Sequence, residues 1–395
     1  MSLIPKKYVQ YLRRKFIMTT ATLSRKSFLQ ITAGALAGAA FLNMPHMAFA
    51  NKAKAQSCTF ADLPDAVSLA QRSELIQMSY NKIKESVATI QNSRLRQMTM
   101  DIIKNPNPTF MRQYLNNAAA KTAVYNKLVS LKLIDPAKTS LANFLPPYDG
   151  QTPQPFYSAP GSGYGSHHAY PGGLATHTAA NLSISEGIYD TYINLFNSKI
   201  SRDIVISAQA LHDLAKPLVF QWQNDQSSLK EYTIANTGAH HIFSIAEVIY
   251  RGFPVEEIVA QACAHQTPGS TNEDQTVVGF LTAAAIIAGK DAKTYGLVTA
   301  NNTLPSPQKQ EGYITSLGDH DYVLSGPACQ KTVKLLQKIM TDDYHMQASD
   351  LNGAQFNKVR NYIGAQVSMM YVNSLSSEAD GEKLIRQLVS SLIIK

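Results

Sequence analysis

Cysteine is scarce in this chain of 395 residues. Cys58, Cys263 and Cys329 are the only three, and none falls in a CxxC pair. At most one disulfide can form, so a disulfide-framework fold is excluded. Long hydrophobic runs are also missing. A bilayer span takes about 20 apolar residues, and neither 31–42 nor 277–289 reaches that length. The second of these is apolar nearly all round, which predicts a central buried helix. Alternating strand patterns are weak throughout, and there is no repeat, heptad series or low-complexity tract, so the expected fold class is all-α. Excess charge is lacking too, once the amino terminus is set aside. The formal charge of +8 comes from Lys6, Lys7, Arg13, Arg14, Lys15, Arg25 and Lys26, with no acid among the first fifty residues. Without those seven, 36 − 7 = 29 basic side chains face 28 acidic ones. A body with net charge +1 does not predict a strong nucleic-acid surface.

What is present begins with that basic segment. It leads into the apolar run 31–42 and ends in Ala48-Phe49-Ala50, the layout of an export signal. Ser24-Arg25-Lys26-Ser27-Phe28-Leu29 resembles the twin-arginine export motif, with Lys26 in place of the second arginine. Met18 is an alternative start that leaves a signal of more usual length. The expectation is an exported, periplasmic protein with no transmembrane span in its mature part.

Periodicity predicts helices over 66–104 (interrupted near Asn92), 109–133, 174–195, 201–216, 238–251, 255–265, 275–288, 327–343, 350–373 and 377–393. Three stretches read as irregular. One is 136–173, dense in Pro, Gly, Tyr and Ser; loops of that length usually carry function or are disordered. The second, 217–237, has room for a short hairpin, and the third is 303–326. On this reading the domains are an export signal (1–50), a helical region (51–150), a core that holds the chemistry (151–300) and helices packing on it (301–395).

The chemistry lies in histidine. Seven of the chain's ten histidines fall between His167 and His265. His177, His212 beside Asp213, His241 (in competition with His240), His265 and Asp291 each belong to a different helix or helix end. A metal site inside a helical bundle needs that distribution, because one helix presents few side chains to a point. Imidazoles and carboxylates together suit Fe, Mn, Zn, Co or Ni rather than Ca. Six groups fit one octahedral ion, or two ions bridged by a carboxylate. Lys216, at i+4 from His212, is expected on the same helix face.

The order His, His-Asp, His, His, Asp resembles that of the HD-domain metal-dependent phosphohydrolases. Leu211-His-Asp-Leu-Ala-Lys216 is similar to the family's LHDxxK. His167-His-Ala-Tyr-Pro-Gly-Gly-Leu-Ala-Thr-His177-Thr178 is similar to the HHAxxGGLxxHT segment of HD-type exoribonucleases. His241-Ile-Phe-Ser-Ile-Ala-Glu-Val-Ile249, followed by Gly252-Phe-Pro-Val-Glu-Glu-Ile-Val259, resembles HxxxxAExI and GxPxEEIV, which lead to a ligand histidine, here His265. The family's last ligand stands in an Ala-Asp pair; Lys290-Asp291 occupies its place, with Asp274 as the alternative. The resemblance covers 167–296. Neither flank resembles the exoribonucleases' RNA-binding domains.

The resemblance implies an HD-domain helical bundle with additional amino- and carboxy-terminal helices, and a phosphomonoesterase or phosphodiesterase using a metal-activated hydroxide. One or two divalent transition-metal ions are implied: His177, His212, Asp213 and Asp291 for one, His241 and His265 for the other, with Asp213 bridging. It places Asp213, Lys216 and His168 in catalysis, and His167, His168 and Tyr170 at a small phosphorylated substrate or nucleotide. Two other readings keep the same ligands. One is a di-iron HD-type oxygenase acting on a small polyol or phosphonate, and the other a non-catalytic helical protein with a structural metal.

Overall fold

Polar caps cut the long amino-terminal periodicity into three helices. The computed structural model describes residues 53–305 and 309–395, so the expected export signal lies outside the described residues. Helix α1 (Ala66–Arg72) starts at Asp65, whose carboxylate accepts from Ser68 N at 3.0 Å. Ser73 opens α2 (Glu74–Ala88) by accepting from Ile76 N at 3.2 Å. Asn92 opens α3 (Ser93–Lys104) by accepting from Leu95 N at 3.1 Å. Each such cap stabilises its helix by about 1 kcal/mol. The break at Asn92 matches expectation and the one at Ser73 is additional. The helix expected over 109–133 is instead a 3₁₀ turn, Thr109–Tyr114, followed by α4 (Ala118–Ser130), because Asn117 caps a new start.

The chain continues through α5 (Gly173–Phe196), α6 (Arg202–Leu211), α7 (Lys216–Val219), α8 (Ala239–Arg251), α9 (Val255–Ala262), α10 (Thr271–Ile287), α11 (Lys309–Gly318), α12 (Tyr322–Tyr344), α13 (Ala354–Val367), α14 (Met369–Leu375) and α15 (Gly381–Leu392). Among the described residues, sheet is confined to two short pairs. β1 (Cys58–Thr59) runs parallel to β4 (Ile393–Ile394), and β2 (Thr233–Ile234) is antiparallel to β3 (Thr237–Gly238). The second pair is the hairpin foreseen in 217–237, turning through Ala235 and Asn236 at φ of 52° and 62°. The fold is all-α, and no described helix is long and apolar enough to cross a membrane.

Helix α6 occupies the middle, packed by α2, α3, α5, α9 and α11. Helix α10 packs on α8 with Val277, Leu281, Ala284 and Ile287 fully buried, as its all-round apolarity predicts. Residues 53–395 form one unit. One correction matters for function: 303–326 is not irregular but contains α11 and the start of α12. Gly312 and Gly318 weaken the helix signal there. They are present because α11 lies close to its neighbours. A Cβ on Gly312 would come 2.6 Å from Cys263 Sγ, and one on Gly318 would overlap Ser185 and Gln209.

Glu257 of α9 is fully buried against α6. Its Oε1 accepts from Ser207 Oγ at 3.0 Å, and its Oε2 has no hydrogen-bond partner. Burial pushes its pKa up to about 8, from 4.5, against the opposing pull of Ser207. Between those two values the native state keeps a proton that the unfolded chain has released, so stability falls as pH rises through that window. Glu257→Gln keeps the shape and removes the titration. Its melting temperature is expected to match the wild type near pH 5 and to rise above it increasingly up to pH 9, following a stability gap that grows to a few kcal/mol at about 1.4 kcal/mol per unit of pKa difference. A gap independent of pH would refute this account.

Candidate metal centre

Pro217 sets the geometry of the His212-Asp213 pair. The helix expected over 201–216 ends at Leu211 and a short new helix starts at Lys216, because Pro217 has no N–H to give the carbonyl four residues back and its ring crowds that carbonyl. His212 to Ala215 form tight turns closed by Leu214 N to Leu211 O and Lys216 N to Asp213 O, both 3.0 Å. This places the Lys216 ammonium on Asp213 Oδ2 and on the Gly161 carbonyl, rather than beside His212 along one helix face. Lys216 is almost completely buried there.

Four other segments converge on Asp213. His177 comes from the second turn of α5, His240 from the first turn of α8, His265 from just past α9, and Asp319 from just past α11. His177 Nε2 lies 3.2 Å from Asp213 Oδ2 and 3.0 Å from Asp319 Oδ1. His212 Nε2 is 3.1 Å from both of those oxygens. On the other side of Asp213, Oδ1 is 3.2 Å from His240 Nε2 and 3.8 Å from His265 Nε2. His265 Nε2 also faces Asp319 Oδ2 at 3.6 Å.

The far edges of these rings decide their tautomers. His177 Nδ1 is 3.0 Å from Asp321 Oδ1, His212 Nδ1 is 2.8 Å from the Gln209 carbonyl, and His240 Nδ1 is 2.5 Å from Glu231 Oε1. Carbonyl oxygens, and carboxylates when ionised, only accept, so the proton of each neutral ring belongs on Nδ1 and the lone pair on Nε2. Thr237 Oγ1 meets His265 Nδ1 at 3.1 Å and fixes that ring as well. Ligand histidines are oriented in this way by outer partners.

Charge follows the same geometry. Burial opposes ionisation of Asp213, yet His212 and Lys216 hold its carboxyl well below the usual range, and His212 and His177 do the same for Asp319. Burial would lower His212, but Asp213 and Asp319 raise it to about 9. His177 is raised well above its ordinary value against burial, chiefly by Asp321. His265 moves the other way, kept neutral by burial and by neighbouring His241.

These residues fit a metal ion. His177, His212, Asp213 and Asp319 are all buried and place ligand atoms within 4.8 Å of one another; Asp213, His240 and His265 form a second such group. Asp213 Oδ1 and His240 Nε2 face each other at 3.2 Å, both buried without a hydrogen-bond partner, a costly arrangement that a cation between them would relieve, whereas Oδ2 is already met by Lys216. Three or four imidazoles with two carboxylates suit borderline transition metals.

The structure brings His177, His212, Asp213 and His265 together, and it leaves His241 and Asp291 out of that cluster. His241 points about 100° away from His240 around α8. Its Nε2 meets the Ala262 carbonyl at 3.1 Å, and its ring stacks on His265 at 4.0 Å and 11°. Burial, with His240 beside it, pushes its pKa down to about 3. His241 therefore supports His265, and His240 faces Asp213. Asp291 is exposed and accepts from Thr294 N at 2.8 Å, capping a turn. The alternative Asp274 also lies outside the cluster, accepting from Gly269 N at 3.3 Å in the first turn of α10. The carboxylate that lies beside His177 and His212 is Asp319.

The 167–177 segment is corrected in part. His168 is buried at φ 47°, with Nε2 2.7 Å from Asp321 Oδ2 and Nδ1 3.0 Å from Tyr170 OH. Tyr170 is fully buried and its hydroxyl also meets Thr176 Oγ1 at 2.9 Å. The His168 ring is occupied in holding Asp321, and the Tyr170 hydroxyl in holding His168, instead of facing a substrate. Gly173 permits this crowding, since a Cβ there would overlap the His168 carbonyl oxygen. His167 alone of the three lines the cleft over the cluster. Asp319 and Asp321 escaped sequence reasoning because they lie beyond position 300; the signal that was there is the acid-His-acid triplet Asp319-His320-Asp321.

A stretch of 99 residues, 25% of this chain, is 31% identical to the dihydroneopterin 2′,3′-cyclic phosphate phosphodiesterase of Methanocaldococcus jannaschii. The match spans 39% of that enzyme. No family model matches the chain, and no solved structure matches it. The distant similarity to a phosphodiesterase and the buried His/Asp cluster together fit a metal phosphohydrolase.

Proposed function

We propose that this protein is a metal-dependent phosphohydrolase of the HD type acting on a small phosphoester, with a phosphodiester as the first choice. The observation that carries the reading is the convergence of four imidazole Nε2 atoms on Asp213 and Asp319, three of them with the opposite nitrogen on an acceptor oxygen. The partial similarity to a phosphodiesterase supports it over oxygenase and purely structural readings.

His177, His212, Asp213 and Asp319 would hold one ion. His240 and His265 would hold a second, sharing Asp213. Divalent cations at such a site make hydroxide available near neutral pH and polarise phosphoryl oxygens. The chain's own groups do the rest. Lys216 lines the cleft and carries a positive charge beside Asp213, where it can meet the phosphoryl oxygens as their charge grows. Asp321 and Glu231 hold His177 and His240 in one orientation, so the site needs little rearrangement on binding. The cleft has a volume of about 390 Å³, the size of a small-molecule site.

Elemental analysis of the purified protein, followed by a panel of phosphomonoesters and phosphodiesters with Mn, Ni or Fe, tests the proposal. One or two transition-metal ions per chain and metal-dependent hydrolysis are expected. Bound metal with no hydrolysis of any ester, or a visible absorption band that changes on anaerobic reduction, would overturn it.

A further inference from the structure

Helix α13 lies outside the stretch that carries the family resemblance, yet one of its faces grips the loop beside the metal centre. Asn357, Arg360, Asn361 and Gly364 recur at three- and four-residue spacing, which lines them up along that face. Asn357 Oδ1 accepts from Tyr164 OH, and its Nδ2 donates to the Asp225 carbonyl at 2.8 Å. A Cβ on Gly364 would come 2.6 Å from Tyr170 Cβ, so helix and loop are in close contact. Arg360 is the unusual member. It is 3% exposed, and among the described residues it makes no ion pair. Its Nε is buried without a hydrogen-bond partner. Buried charges are ordinarily paired, because taking an ion out of water is costly. Here the loop supplies the contacts. Arg360 Nη2 donates to the Ala169 carbonyl at 3.1 Å, and the guanidinium stands 3.7 Å over the Tyr164 ring.

Ala169 follows directly on His168, whose φ of 47° is a conformation that a residue with a Cβ seldom adopts. Such a backbone persists only where its surroundings hold it. In that conformation His168 Nε2 reaches Asp321 Oδ2 at 2.7 Å, while Oδ1 of the same carboxylate takes His177 Nδ1 at 3.0 Å. We propose that Arg360 is a positioning residue of the metal centre: by fixing the Ala169 carbonyl it keeps His168 on Asp321, and so holds the His177 ring in its metal-binding orientation. The carboxy-terminal helices then complete the site as well as packing on it. This rests on the phosphohydrolase reading and adds a residue that acts through others.

Arg360→Ala in the full chain provides the test, with dilute methylguanidinium as a replacement for the missing group. Two readouts apply besides activity: manganese binding by chelator titration, and nitrogen NMR of the His177 imidazole in the metal-free chain. The group around His177 is expected to lose roughly 10-fold in manganese affinity, the low end of the effect of an outer partner of a ligand histidine. The group of His240 and His265 should keep its own affinity. The His177 ring should show mixed tautomers, and methylguanidinium should restore both readouts. Arg360→Met keeps the buried stem and removes donor and charge; it carries the same expectation, without the rescue, should the alanine variant fail to fold. Unchanged affinity, an equal loss in both groups, or a loss in the alanine variant that methylguanidinium does not restore overturns the proposal. Failure of the phosphohydrolase reading looks different: the wild type itself then retains no metal or hydrolyses no ester.

Discussion

Asp319→Ala is expected to abolish both metal retention and phosphoester hydrolysis, while Asp291→Ala leaves both at wild-type levels. Asp319 is almost fully buried and its Oδ1 lies within 3.1 Å of two histidine Nε2 atoms, with Oδ2 toward a third. It is also held by Asn181 Nδ2 at 3.0 Å, so its position is fixed before any ligand arrives. Removing it takes a negative charge from among imidazoles that repel one another and deprives a cation of a ligand. Loss of several kcal/mol of charge stabilisation corresponds to a fall of about a thousandfold or more in kcat/KM. Asp291, exposed in a surface turn, touches none of these groups. Metal content by elemental analysis and kcat/KM on one substrate settle the comparison. Should Asp291→Ala lose metal and Asp319→Ala keep it, the site as assembled here is wrong.

Asp321→Asn and Glu231→Gln are expected to weaken metal binding by about 10- to 100-fold each, the usual effect of removing an outer partner of a ligand histidine. Asp321 takes His177 Nδ1 at 3.0 Å and is itself gripped by His168 at 2.7 Å. Glu231 takes both the side chain and the backbone N–H of His240, the latter at 2.9 Å. A carboxamide preserves the shape but is a weaker acceptor, and its NH₂ can turn toward the ring and favour the other tautomer. The two substitutions act on different groups of ligands, so a two-ion site should show the loss in different steps of a chelator titration. Nitrogen NMR of the imidazoles should report the mixed tautomer directly, a change that a merely loosened fold does not produce. Unaltered affinity in both variants would mean that the outer carboxylates do not orient the rings.

How much of this was legible in the sequence differs from one residue to the next. Leu211-His-Asp-Leu-Ala-Lys216 announces its chemistry because two donor types stand side by side. Gly172-Gly173 marks a place where the backbone needs room, and the His168 carbonyl against Gly173 shows why. The all-round apolarity of 277–287 correctly places α10 inside. By contrast, His240 and His241 are indistinguishable on local grounds. One residue turns the ring by about 100°, and only the position of α8 relative to Asp213 says which one faces inward. Pro217, read simply as a loop start, ends the helix early and swings Lys216 onto Asp213.

The all-α class, the caps that divide the helices and the stock of imidazole and carboxylate donors were determined by the sequence itself, because periodicity, capping and side-chain chemistry are local properties. Tertiary structure alone decided which donors meet. Asp319 reaches His212 across 107 positions of chain at 3.1 Å. That contact depends on how closely α11 approaches α5, α6 and α9, which the glycines at 312 and 318 permit. A ligand sphere requires ångström-level agreement among five segments of chain. That agreement comes from packing of the whole core, and no single stretch of sequence contains it.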